Sequence, residues 1–110
     1  DCFMIGANWP RSRIAHWRSL LVARAVEQQA WVVAANRIGS DPAIEYGGAS
    51  MVVSPMGEVV AELGEESPGC AAATIDLEAQ RAWRADFAVL GDLKPALLGD
   101  LPIREVSAPA

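Results

Sequence analysis

The period of the apolar positions changes several times along this chain, and each change marks an element. Residues 2–7 form a short continuous apolar run, the pattern of a strand covered on both faces. Pro10 punctuates it, Ser12 is a candidate helix cap, and residues 13–29 run on without Gly or Pro. Ile14, Trp17, Leu21 and Ala25 recur at the three-to-four spacing of one helical face. Leu20, Val22, Ala23 and Val26 widen the apolar surface beyond that stripe, which predicts a helix packed on more than one side. Residues 30–35 read as a second buried strand. Strand, helix and strand in this order make a βαβ unit, whose crossover is normally right-handed.

The pattern then shortens. Residues 36–48 are rich in Gly, Asp and Pro and read as a loop. Residues 49–54 and 58–63 predict a hairpin around Ser54-Pro55-Met56-Gly57, with Pro second and Gly fourth as a type I turn prefers. A polar loop at 65–69 leads to another expected strand at 70–75. Asp76 is placed to cap a helix over 77–86, with Trp83 and Phe87 one turn apart. Beyond Val89, Gly91, Pro95, Gly99 and Pro102 break any long element. That tail is expected to drape over a partner surface or to lack fixed order. No internal repeat or linker divides the chain.

Composition narrows the class. The 110 residues suffice for one small domain, and 52% of them are hydrophobic. That is apolar for a domain standing alone and suits a piece whose faces are meant to be covered. The first residues, Asp1-Cys2-Phe3-Met4-Ile5, carry no basic leader and read as a strand that begins abruptly, so a fragment or processed product is expected. The net charge is -5 with scattered arginines, so the footprint of a nucleic-acid binder is missing. No run of eighteen apolar residues offers a membrane span. Cys2 and Cys70 are the only cysteines and are expected to be free and buried, with the cytoplasm as location.

Few residues suggest chemistry, and each has a plainer reading. Asn8-Trp9-Pro10 directly follows a strand, where ligands of layered α/β folds often bind. It could border a pocket, or merely form a corner in which Asn bonds backbone and Trp fills the core edge. Arg24 and Glu27 are spaced to pair on one helical face, either orienting reactive groups or as a structural ion pair. His16 is the only histidine, which excludes a multi-histidine metal site, and it reads as a hydrogen-bonded core group. Cys2 and Cys70 sit in apolar surroundings that would raise a thiol pKa. Ser50 fails the Gly-x-Ser-x-Gly pattern because Val52 stands where the last glycine should be. Gly47-Gly48 lacks the spacing of a phosphate loop and reads as flexibility before a strand. No nucleophile with a credible base is present, and no metal or cofactor is expected.

Seven segments in order are more specific together than apart: Ala7-Asn8-Trp9-Pro10, His16-Trp17, Ala23-Arg24-Ala25-Val26-Glu27-Gln28-Gln29-Ala30, Asn36-Arg37-Ile38-Gly39, Tyr46-Gly47-Gly48-Ala49-Ser50, Ser54-Pro55-Met56-Gly57-Glu58 and Ile75-Asp76-Leu77. Over residues 1–93 this series resembles the C-terminal half of a carbon–nitrogen hydrolase of the nitrilase superfamily, in the branch that includes omega-amidases. The resemblance implies an α/β fold, the C-terminal half of a four-layer αββα sandwich, with 94–110 as a tail. It implies hydrolysis of non-peptide C–N bonds in small amides, nitriles or carbamoyl compounds through a Glu–Lys–Cys triad and a covalent acyl-enzyme.

The chain departs from that family at the reaction centre. The nucleophilic Cys and its Glu and Lys belong upstream of residue 1, Cys2 takes a strand position, and the single lysine, Lys94, lies in the tail. No catalytic residue is therefore assigned, and the chain alone is expected to be inactive. By resemblance Asn8 and Trp9 border the substrate pocket, and His16, Arg24, Glu27 and Asn36 support it from behind. The implied partners are the missing N-terminal half, a small-molecule amide, and a second copy in a homodimer or larger oligomer, with neither nucleic acid nor membrane. The competing reading is a non-catalytic binding or assembly module, or an inactive pseudo-enzyme, that keeps the half-sandwich.

Overall fold

The computed structural model describes residues 1–99. Its strands are β1 (Cys2–Ala7), β2 (Trp31–Asn36), β3 (Ile38–Ser40), β4 (Glu45–Gly47), β5 (Met51–Val53) and β6 (Val59–Glu62), and its α-helices are α1 (Ile14–Glu27) and α2 (Leu77–Asp86). A four-stranded sheet has the order β1-β2-β5-β6, and β3 and β4 form a separate small hairpin. β1 and β2 are parallel, in register from Cys2↔Trp31 to Ala7↔Asn36, with α1 as the crossover between them. The expected βαβ unit is present. β5 adds antiparallel to β2, and β6 to β5.

The core lies between α1 and one face of this sheet. Trp17, Leu21 and Ala25 meet Val32 and Ala34 of β2, Met51 and Val53 of β5, and Ala49, with Ile5, Ala7, Trp9, Ile14 and Val22 at its margin. Strand period two puts Val32, Ala34 and Asn36 on the helix side and Trp31, Val33 and Ala35 on the other. Alanines at 25, 34 and 49 let helix and sheet approach closely. Removing Val32, Met51 and Val53 from water contributes about 1.5–3 kcal/mol each.

The hairpin turn forms as its residues predict. Gly57 N–H donates to Ser54 O at 2.9 Å, and Ser54 N–H to Glu58 O at 2.8 Å. Gly57 adopts φ +85°, and a Cβ there would meet Val26 of α1 at 2.9 Å, so glycine serves both the turn and the helix contact. Asp76 caps α2, its Oδ1 accepting from Ala79 N–H at 2.9 Å. α2 docks through polar groups. Gln80 Nε2 donates to Asp1 O and Gln29 O at 2.8 Å each, Arg84 donates to Gln28 O and Gln29 O, and Gln29 Nε2 donates back to Phe87 O.

Several expectations are corrected. β1 is not covered on both faces: α1 shields Ile5 and Ala7, while Met4 on the opposite face is 85% exposed. Cys2 and Cys70 are free but exposed rather than buried. α1 is covered along a single face, with Leu20 and Val26 nearly half exposed. Ser12 does not cap it, because Arg11–Arg13 form a 3-10 turn first and the cap position falls on Arg13. Segment 36–48 is not a plain loop, since it folds into the β3–β4 hairpin around Asp41, whose Oδ1 accepts from the N–H groups of Ala43 and Ile44. Segment 70–75 is not a strand: it finds no partner among the described residues and stays largely exposed. Val89–Asp92 and Pro95–Leu97 form short 3-10 turns. The expectation for the tail falls mainly on residues outside those described. Among the described residues no helix is long and apolar enough to cross a membrane.

Candidate functional site

β1 and β2 end side by side, and the chain leaves both at one corner. Asn36, the last residue of β2, holds it together. Its side chain is 8% exposed. Asn36 Oδ1 accepts from Trp9 N–H at 2.6 Å, and Nδ2 donates to Gly48 O at 2.8 Å and Trp9 O at 3.3 Å. Its own N–H donates to Ser50 Oγ at 2.9 Å. One carboxamide thus fixes the strand-to-helix turn at Trp9 and the turn at Gly48. Only a side chain with both donor and acceptor can do so.

Trp9 is half-buried against Trp17, with ring centroids 5.8 Å apart. Trp9 Nε1 donates to Arg13 O at 2.7 Å, and Trp17 Nε1 to Ala49 O at 2.8 Å. Both indole N–H groups therefore serve the backbone. The two glycines are not flexible filler. Gly47 and Gly48 are buried, a Cβ on Gly47 would meet Ile14 Cδ1 at 2.5 Å, and Gly48 has φ +55° with Gly64 O 3.0 Å from its Cβ position. Beside them Tyr46 packs under the Arg37 guanidinium, 4.4 Å from its ring centroid, and donates its hydroxyl to Asp41 Oδ2 at 2.5 Å. That hydrogen bond, with the two loop amides, holds the Asp41 carboxyl below its ordinary range and pushes the Tyr46 phenol up.

The corner opens on two sides. On the α1 side, Trp9, Arg13, His16, Ser19 and Leu20 line a shallow depression. On the other, Asn36, Arg37 and Ser50 line a cleft together with Gly64, Ser67 and Gly69. Of the residues singled out from the sequence, Asn8, Trp9 and Asn36 come together here. Asn8 is exposed and Asn36 buried. His16 is near Trp9 but exposed, not a core group. Arg24 and Glu27 pair at 2.5 Å on the exposed side of α1, in its last turn, away from the corner. Ser50, Gly48 and Tyr46 are the residues that inspection of the sequence left without a role. Their signal was positional, a Tyr-Gly-Gly-Ala-Ser run from the end of β4 into the segment before β5, whose Gly48 and Ser50 bond Asn36. Among the described residues no three His, Cys, Asp or Glu side chains gather as metal ligands would.

Comparison with known proteins places this corner in context. The carbon-nitrogen hydrolase family model matches residues 4–85. The chain is 43% identical over 97 residues to 2-oxoglutaramate amidase of Bacillus subtilis, covering 88% of this chain and 37% of that protein. It is 40% identical over 88 residues to the omega-amidase YafV of Escherichia coli, covering 79% and 34%. A CN-hydrolase superfamily protein of Xanthomonas campestris, solved with an arsenic adduct in its active site, superposes with a TM-score of 0.75 at 33% identity over 96% of this chain and 37% of that one. The NitFhit protein of Caenorhabditis elegans superposes at 0.70 with 37% identity, covering 86% and 24%. The chain thus spans between about a quarter and somewhat over a third of the relatives it matches, and its fold is the expected α/β part of theirs. With three quarters of its residues inside the family model, the chain belongs to the carbon–nitrogen hydrolase family.

Proposed function

We propose that residues 1–93 are the C-terminal half of an amidase domain, with 94–110 as its tail, and that they form part of a cytoplasmic hydrolase of small omega-amides. In this reading a cysteine outside the chain attacks the amide carbonyl. Ammonia leaves, and water then releases the acid from the acyl-enzyme. Asn8 and Trp9 border the substrate, Asn36 locks Trp9 in place, and His16, Arg24 and Glu27 support the pocket from behind through α1.

The observation that carries this reading is the Asn36 clamp. It assembles, at the carboxyl ends of two parallel strands, residues of the motif series that resembles the omega-amidase branch. Further support comes from surfaces that suit a second half. Met4 lies bare, segment 70–75 is largely exposed, and the buried Trp31 Nε1 and Gln80 Oε1 have no hydrogen-bond partner among the described residues. Leu20 and Val26 on the outer side of α1 suit a second copy.

Ammonia release from 2-oxoglutaramate and simple omega-amides tests the reading. The intact polypeptide that carries these residues should turn them over, residues 1–110 alone should not, and Cys2→Ala should change neither. Turnover by residues 1–110 alone, abolished by Cys2→Ala, would overturn it.

A further inference from the structure

The loop after β6 forms one wall of the Asn36–Ser50 cleft, and a charge network fixes where that wall stands. Glu65 is its hub. Its Oε2 accepts from Arg11 Nη1 at 3.2 Å and its Oε1 from Arg18 Nη2 at 3.1 Å, while Arg11 Nη2 donates to Glu65 O at 3.1 Å. Arg11 also pairs with Glu45 of β4 at 2.8 Å, and Arg18 with Glu62 of β6. Five charged side chains thus tie the start of α1 to the β3–β4 hairpin and to the loop. All but Glu45 are about two-thirds buried. This is a connected network that grips backbone as well as side chain, unlike an isolated surface pair.

The grip is transmitted to the corner by contact. Gly64 O accepts from Ala49 N–H at 3.3 Å, and Leu63 N–H donates to Ser50 O at 2.9 Å. The Glu65 Cα lies 3.1 Å from the Gly48 Cβ position, so no larger residue fits between loop and turn. Gly48 O is in turn the acceptor of Asn36 Nδ2. Displacing the loop therefore moves the peptide that Asn36 holds.

We infer that Glu65 is a positioning residue for amide substrate, acting through the 63–65 backbone on Gly48, Asn36 and the cleft wall. The inference rests on the amidase reading of the same corner. It is tested in the intact polypeptide with Glu65→Gln, which keeps size and loses charge, and Glu65→Asp. Glu65→Gln should raise KM about tenfold while kcat and Tm stay nearly unchanged. Glu65→Asp should recover part of the loss, and added salt should erode the wild-type advantage but spare the variant. Hydrogen exchange at Ala49 and Leu63 should quicken in Glu65→Gln relative to wild type. An unchanged KM, or a rise in KM accompanied by falls in kcat and Tm, would overturn the inference. If the polypeptide hydrolyses no amide the amidase reading fails, and unchanged exchange at Ala49 and Leu63 would then separately reject the role of Glu65.

Discussion

At the scale of single residues, the account turns on side chains that satisfy buried backbone. Asn36→Ala leaves Trp9 N–H and Gly48 O without their partner in a buried setting, so it should cost about 2–4 kcal/mol in denaturant unfolding. A loss within 0.5 kcal/mol of wild type would mean that water replaces the clamp. Asn36 stood out in the sequence only as one member of a series, because nothing in spacing says which backbone groups a carboxamide will reach. The Asp41–Tyr46 bond has a pH signature whose sign follows from its two shifts. Asp41 is lowered, so its contribution is present above the ordinary carboxylate range and fades as pH falls through the lowered value. Tyr46 is raised, so its contribution is present below the ordinary phenol value of 10.0 and is lost as pH climbs through the raised one. Tyr46 is the only tyrosine in residues 1–110, so a tyrosinate absorbance titration of those residues reads it directly. A midpoint above 10.0, with Asp41→Asn bringing it back down, is the expected result. A midpoint at or below that value would contradict the bond.

At the scale of elements, helices and hairpin were legible because their signals are local. The face Ile14, Trp17, Leu21, Ala25 and the cap Asp76 depend on residues three or four apart. Asp76→Ala should therefore cost about 1 kcal/mol and loosen α2 alone, seen as faster exchange at Ala79 and Gln80 with the sheet unchanged. Uniform loss of protection across the sheet would place α2 in the core instead. The strand at 70–75 failed because strands need partners that no local pattern supplies, and here none is among the described residues. The β3–β4 hairpin was missed for the opposite reason. Three-residue strands separated by residues 41–44 carry too few alternations to show, and Asp41 builds the turn with its side chain.

At the scale of the molecule, composition foretold the main property. A chain 52% hydrophobic buries the sheet face under α1 and leaves Met4, Leu20, Val26 and much of β1 in solvent. Burial was misjudged at β1 and Cys2 because an apolar run reports what a strand is fit to face and not what covers it, and at His16 because a lone helical histidine does not say which side of the helix is covered. The same exposed faces predict association. At micromolar concentration residues 1–110 alone should sediment as more than a monomer, and a compact monomer would show that these faces need no cover. The central claim is that this chain shapes and supports an amidase site whose nucleophile lies outside it. The most direct measurement traps the acyl-enzyme of the intact polypeptide with an omega-amide and locates the adduct by peptide mapping. The account predicts a thioester on a cysteine outside residues 1–110, with Cys2 and Cys70 unmodified. An adduct on Cys2 or Cys70 would contradict it.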